Sequence, residues 1–394
     1  VPAQGTVYNA LQRQTAVRAP ALQAEPAIDG RLDEPAWRSA ALLTGFSLYQ
    51  PFDGAPAPDS TEVLIWYSPT ALYVGIRAYE PHGTPATTVR ATLADRDKIS
   101  SDDNVQLLLD TFDDRHRAFA FGVNPLGVQA DGMRSEGSGA GSAGGAPGQV
   151  DLSSDFLYTS KGRLTDYGYE VELRIPFSSL RYPSSGSQRW GINVVRTVQH
   201  SGYTESWTPA KRASASFLAQ SGTLEGLQGL QRGHVFQMNP ELTARAVGEP
   251  AAGSPDEWHY RMGRDAGGNV KLDLSSSFTL NGTIHPDFSQ VESDAAQIAT
   301  DPRFALYFAE KRPFFIDGIE QFDVPNRLVY TRRIVQPVGA AKVTGTVRGT
   351  SVALLAAEDS RAASATGNDR PAFLVARLRR DVADGQTTLG LVYT

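Results

Sequence analysis

Cysteine is absent from all 394 residues, which excludes disulfides, thiolate zinc sites and a cysteine nucleophile. With Val1 read as a mature end, it also excludes an amino-terminal lipoprotein anchor. No apolar run approaches 18 residues, so no transmembrane helix is expected, and the start has neither the basic nor the apolar region of a signal peptide. Positive charge is not in excess: 37 Lys and Arg against 43 Asp and Glu give a net charge of −6. Without a basic cluster there is no electrostatic footprint for nucleic acid. No Walker A lysine motif, G-x-S-x-G elbow or H-E-x-x-H occurs, and the six histidines are scattered. Nucleophilic and zinc catalysis have no visible apparatus, and a non-catalytic chain is expected.

What is present points to β-structure. A chain of this length exceeds what one hydrophobic core usually serves, so two domains are expected. Gly (37) and Pro (24) with little helical periodicity predict many short strands and turns. The opening Val1-Pro2-Ala3, without Met, reads as the product of signal-peptide removal and thus of export.

Residues 1–21 show no periodicity and read as an N-terminal extension. "IDGRLDEPAW" (28–37) reads as a turn, with Pro35 opening a short helix through Leu42. "EVLIWY" (62–67) and "LYVGIRAY" (72–79) form an antiparallel hairpin. Leu72, Val74, Ile76 and Ala78 share its buried face, while Tyr73, Gly75, Arg77 and Tyr79 share the other. "NVQLLLDTF" (104–112), a hairpin over 116–132 turned at Asn124-Pro125-Leu126-Gly127, and strands over 167–180 and 189–199 continue the series. Together they predict a jelly roll or β-sandwich over 22–222. The glycine-rich run 137–148 interrupts it, and its formal G-x-G-x-x-G match at Gly139, Gly141 and Gly144 follows no parallel strand and opens no helix. Residues 223–233 read as a linker.

From 234 to 394 the alternations lengthen. Val270, Leu272, Leu274, Phe278, Leu280 and Ile284 share one parity, and Lys271, Asp273, Thr279, Asn281 and Thr283 the other. This gives one long strand or a hairpin broken at Ser275-Ser276-Ser277. Hairpins over 340–358, turned near Arg348-Gly349-Thr350, and 372–394, turned near Asp384-Gly385, repeat the form. Arms of about ten residues match a tilted membrane-barrel strand, so an antiparallel, partial-barrel domain is expected. An arginine facing lipid at mid-depth costs about 2–4 kcal/mol, so Arg377, Arg379 and Arg380 belong at an interface or off the membrane.

Two groups of residues are candidates for binding. Asp95, Asp97, Asp102, Asp103 and Asp110 gather hard oxygen ligands near one strand, and Asp102, Asp103 and Asp110 are the candidate calcium ligands. The spacing is not that of an EF-hand loop, and the alternative is a solvated loop with Asp102 or Asp103 capping a turn. Trp66, Tyr67, Tyr73, Tyr79, Trp190 and Trp207 offer flat faces for sugar stacking or, as is commoner in sandwiches, core and cross-strand pairs. Trp66, Tyr79, Arg96 and Trp207 are the candidate ligand-binding residues, whereas Trp37 is expected in the core. "HPDFSQVESDA" (285–295) reads as a connecting turn with Asp287 as turn former and Asp294 as helix N-cap, and not as a metal or acid-base site. Glu292, Glu310, Lys311 and Arg312 are expected to pair within that linker.

"IDGRLDEPAW", "DDNVQLLLDTF" and "FAFGVNPLGVQADG" together resemble the family 9 carbohydrate-binding-module type of β-sandwich. "HPDFSQVESDAAQI", "YFAEKRPFFIDG" (307–318) and "LVYTRRI" (328–334) resemble the stretch that follows this sandwich in a family of uncharacterised bacterial outer-membrane barrel proteins. No tryptophan pair here aligns with the sugar clamp of the characterised modules. Members of the barrel family continue well past the position where this chain stops in mid-strand at Thr394, so an incomplete barrel is expected. The resemblance implies a fold more than an activity. It suggests a cell-envelope protein of a Gram-negative-type bacterium, in the periplasm and outer membrane, with glycan, membrane or envelope proteins as partners. The alternative is an extrinsic periplasmic subunit docked on a multi-subunit membrane complex, respiratory or photosynthetic in type. A third reading, a glycan hydrolase, needs two carboxylates about 5–10 Å apart across a cleft, a pair that sequence alone does not show.

Overall fold

The structure is a computed structural model that describes residues 5–136, 150–184, 186–233, 235–251, 254–286, 310–324, 328–364, 367–382 and 387–394. It divides into two compact units, Val1–Gly233 and His234–Arg380 with Thr388–Thr394.

The first unit carries β1 (Val7–Asn9), β2 (Ala16–Arg18), the short helix α1 (Pro35–Ser39), β3 (Ala41–Thr44), β4 (Ser47–Gln50), β5 (Thr61–Tyr67) and β6 (Ala71–Tyr79). After α2 (Pro85–Thr88) come β7 (Asn104–Asp110), β8 (Arg117–Val123), β9 (Gln129–Ser135), β10 (Val150–Asp151), β11 (Thr159–Leu164), β12 (Gly168–Pro176), β13 (Ser187–Val198), β14 (Tyr203–Ser206) and β15 (Gly222–Gln228). One sheet has the order β1-β3-β5-β6-β12-β11 and the other β10-β9-β8-β7-β13-β14-β4, with β15 on β13 and β2 on β15. The alternating apolar residues explain why they face each other. Val63, Ile65, Val74, Ile76, Val171 and Leu173 from the first sheet meet Val105, Leu107, Leu109, Phe121, Ile192 and Val194 from the second in one buried cluster. Each such side chain contributes about 1.5–3 kcal/mol by leaving water. This is a β-sandwich, as the spacing of the strands predicts.

Four local expectations are corrected. The β5–β6 hairpin is buried on both faces. Residues 20–40 fold back over its outer face, where Leu22 N–H donates to Tyr67 O at 2.8 Å and Leu32 and Trp37 pack with Leu64, Trp66 and Tyr73. Gly75 is the contact point, since a Cβ there would stand 2.5 Å from Leu32 Cδ2 and 3.1 Å from Trp37 Cζ3. The helix opened by Pro35 stops at Ser39, and Ala41 and Leu42 pair with Ile65 and Leu64 instead. Residues 1–21 are not without structure, because β1 pairs in parallel with β3 and β2 with β15. Three-residue strands are too short to display a period. Most of the stretch read as a linker is likewise strand, because β15 runs antiparallel to β13. The glycine-rich run 137–148 lies outside the described residues.

The second unit is a single antiparallel meander of seven strands: β16 (Phe236–Ala251), β17 (Ser254–Asp273), β18 (Phe278–Ile284), β19 (Pro337–Val347), β20 (Thr350–Asp359), β21 (Ala372–Val382) and β22 (Thr387–Tyr393). Among the described residues the sheet is open, with β16 and β22 as its edges. The β17–β18 and β19–β20 hairpins turn where the sequence predicts, the latter with Arg348 and Gly349 at φ 49° and 74°. The turn expected at Asp384-Gly385 lies outside the described residues.

The faces of this sheet are reversed relative to a soluble sheet. Asp273, Thr279, Asn281, Thr283, Lys342, Thr344, Thr346 and Ser351 are buried, whereas Met238, Leu242, Met262, Ile284, Leu354, Leu374 and Leu378 are exposed. The register puts Leu354 opposite Val343 and Ala376, and Lys342 opposite Asn281, so the two sets form two continuous faces. The segment 310–334, with the helix α3 (Pro313–Ile316), packs Phe314, Phe315, Phe322 and Ile334 on Ala353, Leu355 and Ala357 of the polar side. Lys342 Nζ reaches the carbonyls of Phe314, Phe315 and Asp317, and Arg377 donates to Gln321 O at 2.8 Å. The expectation for the arginines is thereby refined. Arg377 is buried on the polar side, and Arg380 sits at the strand end opposite Thr350.

Candidate ligand-binding groove

The first sheet of the sandwich carries a row of alternating charges across four strands. Glu62 of β5 is the register partner of Arg77 of β6, Arg77 of Glu170 on β12, and Glu170 of Arg163 on β11. All four side chains stand on the face opposite the core, because the other parity of β5, β6 and β12 is apolar and Arg163 pairs with Glu170 on that face. Arg77 lies 3.4 Å from Glu62 Oε2 through NH1 and 3.3 Å from Glu170 Oε1 through Nε. Arg163 NH2 is 2.5 Å from Glu170 Oε2. Tyr79 donates to Glu62 Oε2 at 3.3 Å and Tyr167 to Glu170 Oε1 at 2.6 Å, and the two rings lie 5.1 Å apart.

Together with Leu32, Asp33 and Trp37 these residues line a groove of about 740 Å³. Its floor is held by the "IDGRLDEPAW" turn. The fully buried Glu172 accepts the backbone N–H groups of Asp29 and Gly30, each at 2.8 Å, and the Trp37 indole N–H at 3.0 Å. Arg163 Nε adds a bond to Gly30 O at 2.9 Å and Arg77 NH2 one to Leu32 O at 3.3 Å.

The protonation states are fixed by these contacts. Burial pushes the Glu170 carboxyl up, but hydrogen bonds from Tyr167 and Arg163 outweigh it and hold the group below its usual range. Burial and then the Glu170 hydrogen bond and charge raise the Tyr167 hydroxyl, and burial followed by Glu62 raises that of Tyr79. The groove thus presents the ionised Glu170, guanidinium donors and protonated phenols beside aromatic surface. Burial pushes Glu172, beneath it, to about 7.

Of the sequence candidates, the structure brings Tyr79 into this groove. Trp66 is fully buried, stacked on its cross-strand partner Tyr73 with centroids 4.0 Å apart. Trp207 is buried with its indole N–H on Thr44 O at 3.2 Å. Arg96 is engaged by Asp131, Gln129 and the carbonyl of Phe156. Neither tryptophan presents an open face for stacking. The aspartates are also separated: Asp103 immediately precedes β7, whereas Asp110 ends it, about 20 Å away at the rise of a strand. Asp102 Oδ2 accepts from Thr92 N, Thr92 Oγ1 and Asn124 Nδ2, Asp103 from Arg90 N and Gln199 N, and Asp110 from Asp114 N and Arg115 N. These bonds tie loops to the strand. Asp287, Glu292 and Asp294 lie outside the described residues, whereas Glu310 pairs with Arg312 as expected of that linker.

Glu62, Arg77, Arg163, Tyr167 and Glu170 are the groove residues that sequence reasoning did not single out. The available signal was parity: Glu62, Arg77 and Glu170 alternate with core residues, whereas Arg163, on the largely exposed β11, carries no such signal.

A family model described as a domain of unknown function (DUF5916) matches residues 253–351, about a quarter of the chain, covering β17 to β19. A search of curated proteins finds no match. Among solved structures, the chain is similar to a family 9 carbohydrate-binding module from Caldicellulosiruptor kristjanssonii in complex with cellotriose. The identity is 17%, over 53% of this chain and 93% of that one, with a TM-score of 0.36. It is also similar to a family 9 module from the same organism in complex with glucose, at 16% identity over 53% of this chain and 94% of that one, with a TM-score of 0.35.

Proposed function

We propose that this chain is a non-catalytic cell-envelope binding protein. Its seven-stranded unit supplies lipid-facing strands of an outer-membrane barrel, and its sandwich holds a glycan, on the periplasmic side, in the groove between Tyr79 and Tyr167. The observation that carries the membrane reading is the reversal of faces in the second unit: apolar side chains outward on successive strands, charged and hydroxyl side chains inward. In water this arrangement leaves side chains such as Leu242, 85% exposed, and Met262, 72% exposed, without cover. In a bilayer it is the arrangement a barrel strand requires, because lipid replaces water as the outer solvent.

The glycan reading is supported by the chemistry of the groove. Sugar hydroxyls both donate and accept, and the Glu62–Arg77–Glu170–Arg163 row offers carboxylates and guanidiniums in alternation beside two phenol rings. The volume is within the ordinary range for small ligands. Glu170 is held ionised and the phenols protonated, which suits fixed hydrogen bonding and leaves Glu170 unsuited as a general acid.

Two measurements test the two halves. Alkaline carbonate extraction of native membranes should leave the chain in the pellet. Release into the supernatant together with a partner complex would replace the barrel reading by that of an extrinsic subunit. A glycan array probed with the detergent-solubilised full chain should give binding that Arg77→Ala and Tyr167→Phe abolish. Binding indifferent to both changes, or none at all, would remove the groove from the proposal.

A further inference from the structure

At one end of the sandwich three loops converge on a second constellation. Asp59 precedes β5, His82 follows β6, and His200 lies in the β13–β14 turn. One ligand-capable atom from each lies within 4.8 Å of the others. Asp59 is 1% exposed, and neither of its carboxylate oxygens has a hydrogen-bond partner. A buried carboxylate left this way costs several kcal/mol unless something else satisfies it. His82 Nε2 stands 3.4 Å from Asp59 Oδ1. Ligand atoms around a tetrahedral zinc ion with bonds near 2.0 Å sit about 3.3 Å apart, so this pair is already at ligating distance.

The surroundings are those of a supported metal site. Glu80, itself buried, accepts the His82 backbone N–H at 3.1 Å through Oε1, and its Oε2 lies 3.1 Å from His200 Nδ1. A carboxylate behind a ligating imidazole fixes the ring and raises its basicity. The fully buried Arg196 ties the Asp59 loop to the end of β6 through Ser60 O at 3.2 Å, Thr61 Oγ1 at 3.0 Å and Tyr79 O at 2.9 Å. Asp59, Asp103 and Glu205 interact electrostatically with that one guanidinium, and Glu80 adds another buried carboxylate.

We infer that Asp59, His82 and His200 form a binding site for a divalent transition metal of the zinc class, with Glu80 as the positioning residue. Two imidazoles and a carboxylate select borderline metals over calcium, whose ligands are oxygens. Three protein ligands leave a coordination position open to water or an exogenous group, because both histidines reach solvent.

The test uses the tag-free full chain, stripped with a chelator and titrated with Zn²⁺ by calorimetry and with Co²⁺ by visible spectroscopy. Saturable binding of one ion per chain is expected, with the intense d–d bands of low-coordinate Co²⁺. His82→Ala and His200→Ala should each weaken binding at least tenfold, and the double variant should abolish it. Glu80→Gln should weaken it by about 10–100-fold, as removal of an outer-shell partner does. Both histidines lie at the surface, so their variants report on the site even where Asp59→Asn disturbs folding. Absence of saturable binding, or a site that survives the double histidine change, would overturn the inference.

Discussion

The indole N–H of Trp37 donates to Oε1 of Glu172 at 3.0 Å, joining the turn at 28–37 to the middle of β12. The same N–H lies 3.1 Å from Glu34 Oε2, and the ring packs edge-on to Trp66 at 5.9 Å. Two losses are therefore separable. Trp37→Phe keeps most of the apolar cover and removes the donor to a buried carboxylate, with an expected cost of about 1–3 kcal/mol. Trp37→Ala also opens a cavity over Gly75, and about 3–5 kcal/mol is expected. Urea titration of the full chain, read by sandwich-specific hydrogen exchange, checks both. A Trp37→Phe variant as stable as the parent chain would mean that the hydrogen bond contributes nothing beyond packing.

Glu172 also sets a pH dependence. Burial raises its carboxyl from an ordinary value near 4.5 to about 7. The folded sandwich therefore binds this proton more tightly than the unfolded chain. The contribution is fully present below pH 4.5 and is lost as pH rises through 7, with a span of about 3 kcal/mol. Unfolding midpoints measured between pH 4.5 and 8 should fall with rising pH on this account. Glu172→Gln, which is neutral throughout, should flatten that slope. An unchanged slope in the variant would assign the dependence to other groups.

How much of this was legible in the sequence varies with the distance over which the information acts. Strands such as β5, β6 and β12 declare themselves because alternation is local. The cover over β6 does not, since nothing in "LYVGIRAY" shows that Leu32 and Trp37 will lie on Gly75. The groove was half legible: Arg77 and Tyr79 share a parity, but their meeting with Glu170 depends on the β6–β12 register, set by strands 90 residues apart. The histidines read as scattered because His82 and His200 are joined only by the closing of the sandwich. In the second unit parity was legible, and which parity faces outward was not, because periodicity is blind to the solvent.

The outward apolar face gives a prediction that distinguishes lipid from water. Leu354, midway along β20, is 42% exposed. Leu354→Arg should change the stability of the chain by no more than about 0.5 kcal/mol if that face is in water. At bilayer mid-depth it should cost about 2–4 kcal/mol, a shift of about 30-fold or more in the membrane-inserted fraction. Insertion of the two proteins into phospholipid vesicles, followed by protease protection, measures the ratio. Equal insertion would mean that the Leu354 face does not meet hydrocarbon.

The inward face makes the complementary case through Lys342. This side chain is 1% exposed, and its ammonium bonds the carbonyls at the end of α3, at 2.5 Å for Phe314 and 3.4 Å for Phe315, with Asp317 as a third acceptor. A buried ammonium is stable only while such acceptors surround it, so the sheet and the segment 313–323 hold each other. Lys342→Met preserves length and apolar contact but leaves three carbonyls short of a donor, at about 1–3 kcal/mol for each that stays dry. Amide exchange over 313–323 should accelerate at least tenfold, while β19 and β20 keep their protection. The Phe314, Phe315 and Phe322 cluster remains in the variant. Undiminished protection would therefore show that apolar packing alone seats the segment, and that Lys342 is there to neutralise the polar face.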